Sequence, residues 1–383
     1  MTEPTNFNNP NVNPRVLVAP LEWGLGHATR CIPIIKNLID LDIEVLVAAH
    51  GAQKTLLSEE FPDLEFFDLP GYGIRYGARR RSFGLKIMLQ VPKILIQINR
   101  EKRWLEAFLR SKRVDLVISD NRYGFFSSKI FSVFITHQLH ISTPFGRSIS
   151  RILTSINYRY IGKFDACWIP DFEDVHRSLA GRLSHPSQLP ATSIRYIGLL
   201  SRLHTIQQAV IKNLLIVIIS GPEPQRSIFE KKILVQLKLL QGKIILIRGL
   251  PGSDDKLDLQ PNITAFNHAS AEMLNNLICE SEFVLARSGY STVMDVVSLK
   301  KKCILVPTRG QPEQEYLAQY LFDKKMILTV REEELDLKTC IANAGRFPFS
   351  FVEIQNDLLK HVLNDTKDRL VQKELADKKS VAP

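Results

Sequence analysis

Cysteine is sparse and follows no pattern. The five in 383 residues (Cys31, Cys167, Cys279, Cys303, Cys340) are odd in number, scattered, and without CxxC or zinc-type spacing. That argues against a disulfide framework or zinc module and fits buried thiols in a reducing cytoplasm. Long hydrophobic runs are missing too: no stretch reaches the roughly 20 uninterrupted apolar residues a spanning helix needs. Behind Met1 comes a run of Asn, Pro and Thr, not the basic, apolar leader of a secreted protein. No segment recurs at the periods of solenoid repeats.

What is present is enough apolar material, 45% of 383 residues, for two ordinary cores. The formal charge of +10 points to an acidic partner: nucleic acid, an anionic bilayer or a phosphate-bearing small molecule. Residues 79–113 hold eleven Lys or Arg against two Glu, a local net of +9. Leu85, Met88, Leu89, Leu105, Phe108 and Leu109 recur there at helical spacing. The segment reads as a basic amphipathic surface for an anionic membrane, or as two sheet-covering helices with solvated polar faces. Pro92 argues against one long helix. Nucleic acid is disfavoured, because the run has no recognised reading motif and no interleaved stacking aromatics.

Short apolar runs alternate with helical patterns, which predicts an α/β protein with parallel sheets covered on both faces. The first set is 15–19, 43–49, 64–69, 114–119, 132–136 and 166–169. The second starts at Asn213 and continues at 243–248, 283–286, 302–306 and 326–329. Two doubly wound domains follow: a disordered lead-in over 1–14, a first domain over 15–203, a polar linker at 204–212, a second domain at 213–362 and a solvated tail helix or frayed end at 363–383.

Ligands of such sheets bind at the carboxyl ends of strands. The loop Trp23-Gly24-Leu25-Gly26-His27-Ala28-Thr29 opens the first helix, where glycine lets amides approach an anion. It is no dinucleotide fingerprint, since Thr29 replaces the third glycine and Ala49-His50-Gly51 stands where an acidic residue is required. His27 can act as a base near neutral pH, or merely cap the helix. Asp120, after the 114–119 strand, can serve as a second base, orient His27, or cap the next helix. His137 and His140, after the 132–136 strand, are further candidates. Ser220 and Gly221 make room for a ligand or form a simple turn.

Arg287-Ser288-Gly289-Tyr290-Ser291-Thr292 offers hydroxyls and amides at a helix start, a place for a diphosphate. Asp295, a turn later, can accept from ribose hydroxyls or only compensate the helix dipole. The segment 307–316, with Gln311, Gln314 and Glu315, is dense in groups suited to sugar hydroxyls, and also suits a solvated helix start. Ser253-Asp254-Asp255 reads as a solvated turn and not a metal site.

SGYSTVMD followed by a strand and VPTRGQPEQEYLAQYL resembles the nucleotide-sugar signature of the GT-B glycosyltransferases of family 28. That family includes the UDP-N-acetylglucosamine transferase of lipid II synthesis and the galactolipid synthases. The resemblance spans roughly 15–330 and is tightest over 287–316. It implies a GT-B architecture: two Rossmann-like domains facing a cleft. It places Asp295 on the ribose, Ser288 to Thr292 by the phosphates, and Gln314 and Glu315 at the donor sugar. The usual family residues are a Glu and two Gln, so the sugar itself stays open. GLGH resembles the family's glycine-rich loop ending in histidine, between acceptor and donor. Tyr196 to Arg202 resembles its interdomain segment, which makes Arg202 a phosphate ligand, and the loop at Phe266 and Asn267 is the one whose backbone reads uracil.

The expected activity is metal-independent, inverting transfer from a UDP-sugar to an acceptor, with a lipid-linked acceptor in view. No cofactor beyond the donor is implied, because basic side chains and helix dipoles can stabilise the leaving diphosphate. The expected location is cytoplasmic, with the inner membrane face as a docking place. Two alternatives stay open: an epimerase or hydrolase acting on the donor alone, and a non-catalytic nucleotide-sugar-binding protein.

Overall fold

A computed structural model of the protein describes residues 13–73, 80–143, 145–354 and 357–381, and the side chains of all of these except 80–89, 91 and 373–381. Residues 1–12 of the expected lead-in, Arg79, and the side chains of Leu85, Met88 and Leu89 therefore lie outside the described part of the molecule.

The first sheet has β1 (Arg15–Pro20), β2 (Glu44–Ala49), β3 (Glu65–Asp68), β4 (Leu116–Asp120), β5 (Phe131–Ile135), β6 (Ala166–Ile169) and β7 (Ser193–Tyr196). Helices α1 (Leu25–Asp40), α2 (Gly51–Glu60), α3 (Arg80–Ser111) and α4 (Arg147–Ile161) connect them. All its pairings are parallel, in the order β3-β2-β1-β4-β5-β6-β7. Period-2 side-chain alternation explains the near-continuous apolar strands. Val16 and Val18 enter the core shared with α1, whereas Leu17 and Ala19 enter the one shared with α3.

The second sheet has β8 (Ile211–Ile218), β9 (Ile244–Ile247), β10 (Ile263–Phe266), β11 (Ser281–Ala286), β12 (Cys303–Leu305) and β13 (Leu328–Thr329). Its helices are α5 (Gln225–Leu237), α6 (Ala271–Glu280), α7 (Tyr290–Ser298), α8 (Pro312–Asp323) and α9 (Leu337–Arg346), and α10 (Leu358–Val381) ends the chain. It is also parallel, in the order β10-β9-β8-β11-β12-β13. One apolar cluster runs through both domains, from Val16 and Ile35 to Val293 and Leu317.

Three expectations need correction. The helix α3 runs unbroken over 32 residues with Pro92 inside it. One missing N–H is tolerated because Ile98, Leu105 and Phe108 bury their side chains on the domain behind. The tail is not solvated all round: Leu359, Leu363 and Leu370 of α10 are buried with α1, and Lys367 Nζ donates to Leu41 O at 2.6 Å. The chain thus returns to the first domain. Finally, β7 and β10 are edge strands, read in the sequence only as connecting segments. With one neighbour each, their SIRY and ITAF stretches are short and interrupted by polar residues.

Candidate active site

In each sheet the strand order turns back beside the first strand, between β1 and β4 and between β8 and β11. Connections leave to opposite faces there and open a crevice at the carboxyl ends. In the first sheet, Pro20 pairs with Asp120 at that end. After β1 the chain turns through Gly24, at φ 74°, a left-handed conformation that favours glycine, and starts α1. Buried Gln53 donates its amide to Gly24 O at 2.8 Å and to Leu21 O, which pins the turn.

His27 sits in the first turn of α1, with its Nδ1 3.0 Å from Asp120 Oδ2 and 2.7 Å from Arg30 Nη2. Arg30 donates from Nε to Asp120 Oδ2 at 2.8 Å and from Nη2 to Oδ1. Nδ1 thus faces both the Asp120 carboxylate and the Arg30 guanidinium, and in the tautomer that carries its proton on Nδ1 towards Asp120, Nε2 keeps its lone pair. Burial would raise the Asp120 pKa, but Arg30 and then His27 outweigh it and hold the group below the usual range. Burial, then Arg30, lower that of His27 against the pull of Asp120. A neutral imidazole at physiological pH is the result.

Loop 121–124 behind Asp120 is fixed by a second buried set. Glu101 accepts from Tyr72 OH and Arg122 Nη1, both at 2.8 Å, and from Gly124 N at 3.1 Å. Gly124 is required there, since a Cβ would stand 2.0 Å from Ile98 O.

In the second domain, α7 starts at Tyr290 after Gly289, with no side-chain cap and no acidic residue in its first turn; α1 likewise has neither. The two helix starts meet: Ser291 Oγ donates to Gly26 O at 2.8 Å. Two positive dipole ends, whose first amides have no partner within their own helix, are thus brought together. Beside them Ser201 Oγ donates to Asp295 Oδ1 at 2.7 Å, and burial pushes that carboxyl up to about 6 against the lowering effect of Arg202. The Arg202 side chain has no hydrogen-bond partner among the described residues, and its Nε is buried. An uncommitted guanidinium next to two bare helix starts can hold an anion.

Residues 215–345 match the glycosyltransferase family 28 C-terminal domain. An uncharacterized glycosyltransferase of Methanosarcina acetivorans is 24% identical over 313 residues, 76% of this chain and 79% of that protein. The protein is a glycosyltransferase with the GT-B fold. A Bacillus thuringiensis UDP-N-acetylglucosamine–N-acetylmuramyl-(pentapeptide) pyrophosphoryl-undecaprenol N-acetylglucosamine transferase is 22% identical, over 74% of this chain and 76% of its own. In fold, the glycotransferase of kitacinnamycin superposes with a TM-score of 0.59 at 11% identity, covering 94% of this chain and 95% of that one.

Within this transferase, Gly26, His27, Asp120, Ser291, Arg202 and Asp295 come together around the two helix starts. Thr292 shares the first turn of α7. Ser220 and Gly221 follow β8, whose end pairs with that of β11. Ser288 Oγ donates to Gln314 O at 3.0 Å, tying the α7 loop to α8. Tyr290 is buried; its hydroxyl donates to Pro170 O at 2.7 Å and its ring stacks on His137 at 4.1 Å.

Other expected site residues are committed elsewhere. Arg287 is buried, with its guanidinium 3.8 Å from the Phe229 ring centroid and Nη1 donating to Glu332 at 2.7 Å. The Asn267 side chain donates to Ser253 O and Asp255 O and accepts from Arg248, and Leu250 N takes its backbone carbonyl. That ties the 253–255 turn to the end of β10, where Phe266 packs against the main core. Gln311, Gln314 and Glu315 bond within their own loop. His140 donates its backbone N–H to Leu183 O, and burial lowers its ring pKa.

Sequence reasoning missed Arg30, Ser201 and Glu313, whose Oε1 lies 2.7 Å from His137 Nε2 of the first domain. Arg30 had a signal, because it lies three positions after His27 and so on the same helix face. Glu313 and Ser201 had none, since their partners lie in the other domain segment.

Proposed function

We propose that the transferase moves a sugar from a nucleoside diphosphate donor, UDP being the best fit, to an acceptor hydroxyl with inversion and without a metal. The observation that carries this reading is the meeting of the α1 and α7 starts, uncapped and free of acidic residues, beside Arg202, whose buried Nε has no hydrogen-bond partner among the described residues. A diphosphate there would pair the orphan amides and neutralise both dipole ends. Asp295 would accept from the ribose hydroxyls.

The acceptor hydroxyl gives its proton to His27 Nε2, and its oxygen bonds to the anomeric carbon. The bond from that carbon to the phosphate oxygen breaks on the opposite face, and the diphosphate leaves with the electron pair. Asp120 orients the ring and stabilises the imidazolium that forms. Arg202 and the amides of Tyr290 to Thr292 receive the developing negative charge.

A thermal-shift panel of nucleotide sugars tests this. The stabilising ligands should be uridine nucleotides, by about 2.7 kcal/mol at a hundred times Kd. A panel in which adenine, guanine and thymine nucleotides shift the protein equally, or none does, sinks the assignment.

For the acceptor, a lipid-linked molecule reached at an anionic bilayer is the second part of the reading. No helix among the described residues is long and apolar enough to cross a membrane. However, α3 exposes Leu95 and Ile96, and α4 exposes Ile152 and Ile156 among Arg147, Arg151 and Arg159. Flotation with anionic but not neutral vesicles is the expected outcome; equal recovery with both would remove the membrane from the reading.

A further inference from the structure

After β6 the chain runs from Pro170 to Ser184 with no strand or α-helix and a single 3₁₀ turn at Gly181–Leu183. One side chain shapes this segment. Asp171 is fully buried and accepts from Phe172 N and Leu179 N at 2.9 Å, from Ala180 N at 3.1 Å, and from the Ser178 and Ser184 hydroxyls at 2.6 Å. A buried carboxylate is costly unless its lone pairs are taken, and these donors take them. Wrapped round Asp171, the segment keeps the carbonyls of His176 and Ser178 and the amide of Arg182 for partners outside it.

Those partners come from the second domain. Tyr316, Tyr320 and Lys324 follow one another at helical spacing along one face of α8 and just past its end. Tyr316 OH accepts from Arg182 N at 2.9 Å, and Tyr320 OH donates to Ser178 O at 3.2 Å. Lys324 Nζ donates to His176 O at 2.8 Å and to Ser178 O at 2.9 Å. The two tyrosine rings stack at 5.7 Å, with the Arg182 guanidinium 4.5 Å from the Tyr316 centroid. The fit leaves no slack: Gly181 has φ 51°, and a Cβ there would stand 2.5 Å from the Tyr316 hydroxyl oxygen.

The same segment also holds α7. Tyr290, the first residue of α7, donates to Pro170 O at 2.7 Å, directly before Asp171, and Ser288 Oγ ties the α7 loop to Gln314 O of α8 at 3.0 Å. His27 and Asp120 belong to the domain that supplies the segment. The gap between the α7 start and His27 is therefore set by how α8 seats on 170–184. A misplacement of about 1 Å at a reacting centre can cost about a hundredfold in rate.

We propose that Tyr316, Tyr320 and Lys324 are positioning residues for the transfer, and that the segment built on Asp171 is the seat that fixes the α7 start against the α1 start. The proposal rests on the nucleotide-sugar reading above. To these three side chains the seat offers backbone carbonyls and an amide, so the second domain is aligned by the course of the chain.

Spin labels at Ala52→Cys in α2 and Lys231→Cys in α5, both exposed, report the distance between the domains of the full chain, since the five native cysteines are buried. The labelled wild-type background should give a narrow distance distribution. Adding Tyr316→Phe, Tyr320→Phe and Lys324→Met together should broaden it, and saturating UDP should narrow it again. Calorimetry should show UDP affinity lowered about tenfold, because only molecules in register can bind across both helix starts. Lys324→Met alone should do the same to a smaller degree, and Lys324→Arg, which still donates, should behave as wild type. A distribution that stays narrow in the triple variant, broadening with UDP affinity unchanged, or a Lys324→Arg variant as impaired as Lys324→Met would each overturn the proposal and leave the nucleotide reading intact. Wild-type protein that binds no UDP overturns both.

Discussion

Asp295 allows the donor site to be tested by two measurements with opposite signs. Burial raises its carboxyl from the ordinary 3.8 to about 6, although Arg202 beside it, the Ser201 hydroxyl and the Arg202 N–H all act to lower it. The folded chain holds this proton more tightly than the unfolded one, so ionisation costs stability. The cost is absent below the unfolded pKa, grows as pH rises through the interval, and is complete above the folded value. At about 1.4 kcal/mol per pH unit it reaches at most about 3 kcal/mol, and partial exposure reduces that to about 1–2 kcal/mol. Asp295→Asn keeps the shape and the acceptor for Ser201 but removes the charge. It should therefore raise the melting temperature at pH 7.5 by about 2–6 °C. The gain should shrink as the pH is lowered towards 4. The same variant should bind UDP about tenfold more weakly or worse, since a charged acceptor of ribose hydroxyls is lost. A variant less stable than wild type at both pH values would show the carboxylate to be structural. Unchanged UDP affinity would remove Asp295 from the ribose site.

Replacing His27 with Ala should lower acceptor-dependent UDP release by about two to four orders of magnitude while leaving UDP affinity within about twofold. An equal loss of both would make His27 structural. Arg30 lowers the His27 pKa, so Arg30→Gln should shift the acidic limb of the pH–rate profile to higher pH; a limb that stays in place, or moves down, contradicts the arrangement around Asp120. The same change leaves Asp120 buried with one partner fewer and should cost about 3–5 kcal/mol of stability. Arg287→Met should lower the melting temperature through the lost Glu332 pair and keep UDP affinity, because the guanidinium is bound inside its own domain; a selective loss of UDP binding would return Arg287 to the donor site.

The architecture was readable because its determinants are local. Two-sided burial makes the central strands run as apolar blocks, and each glycine loop sits at the boundary where period 2 changes to period 3.6. The edges were harder. The strands β7 and β10 have a single neighbour, and their partly polar sequences look like loops for that reason. Pro92 carried a correct local rule to a wrong conclusion, since burial of Ile98, Leu105 and Phe108 on the sheet outweighs one absent hydrogen bond. The dyad of His27 and Asp120 was within reach, because both follow strands that flank the switch point.

Arg287 and Arg202 show where reading the residues in order runs out. Each is an arginine close to a glycine in a segment that resembles a phosphate site, and side-chain chemistry cannot separate them. What separates them is the supply of partners. Arg287 finds Glu332, 45 residues on, and the face of Phe229, so its charge is spent on the fold. Arg202 lies beside Asp295, but that carboxylate is taken by Ser201 and pushed towards neutrality by burial, and no hydrogen bond joins the two side chains among the described residues. A half-buried guanidinium held next to a weakened acid and two bare helix starts is costly unless an anion completes it. Arg287 has a carboxylate partner and Arg202 has no hydrogen-bonded one among the described residues, a difference only the fold can establish, and that is why Arg202 rather than Arg287 is proposed as the donor's arginine.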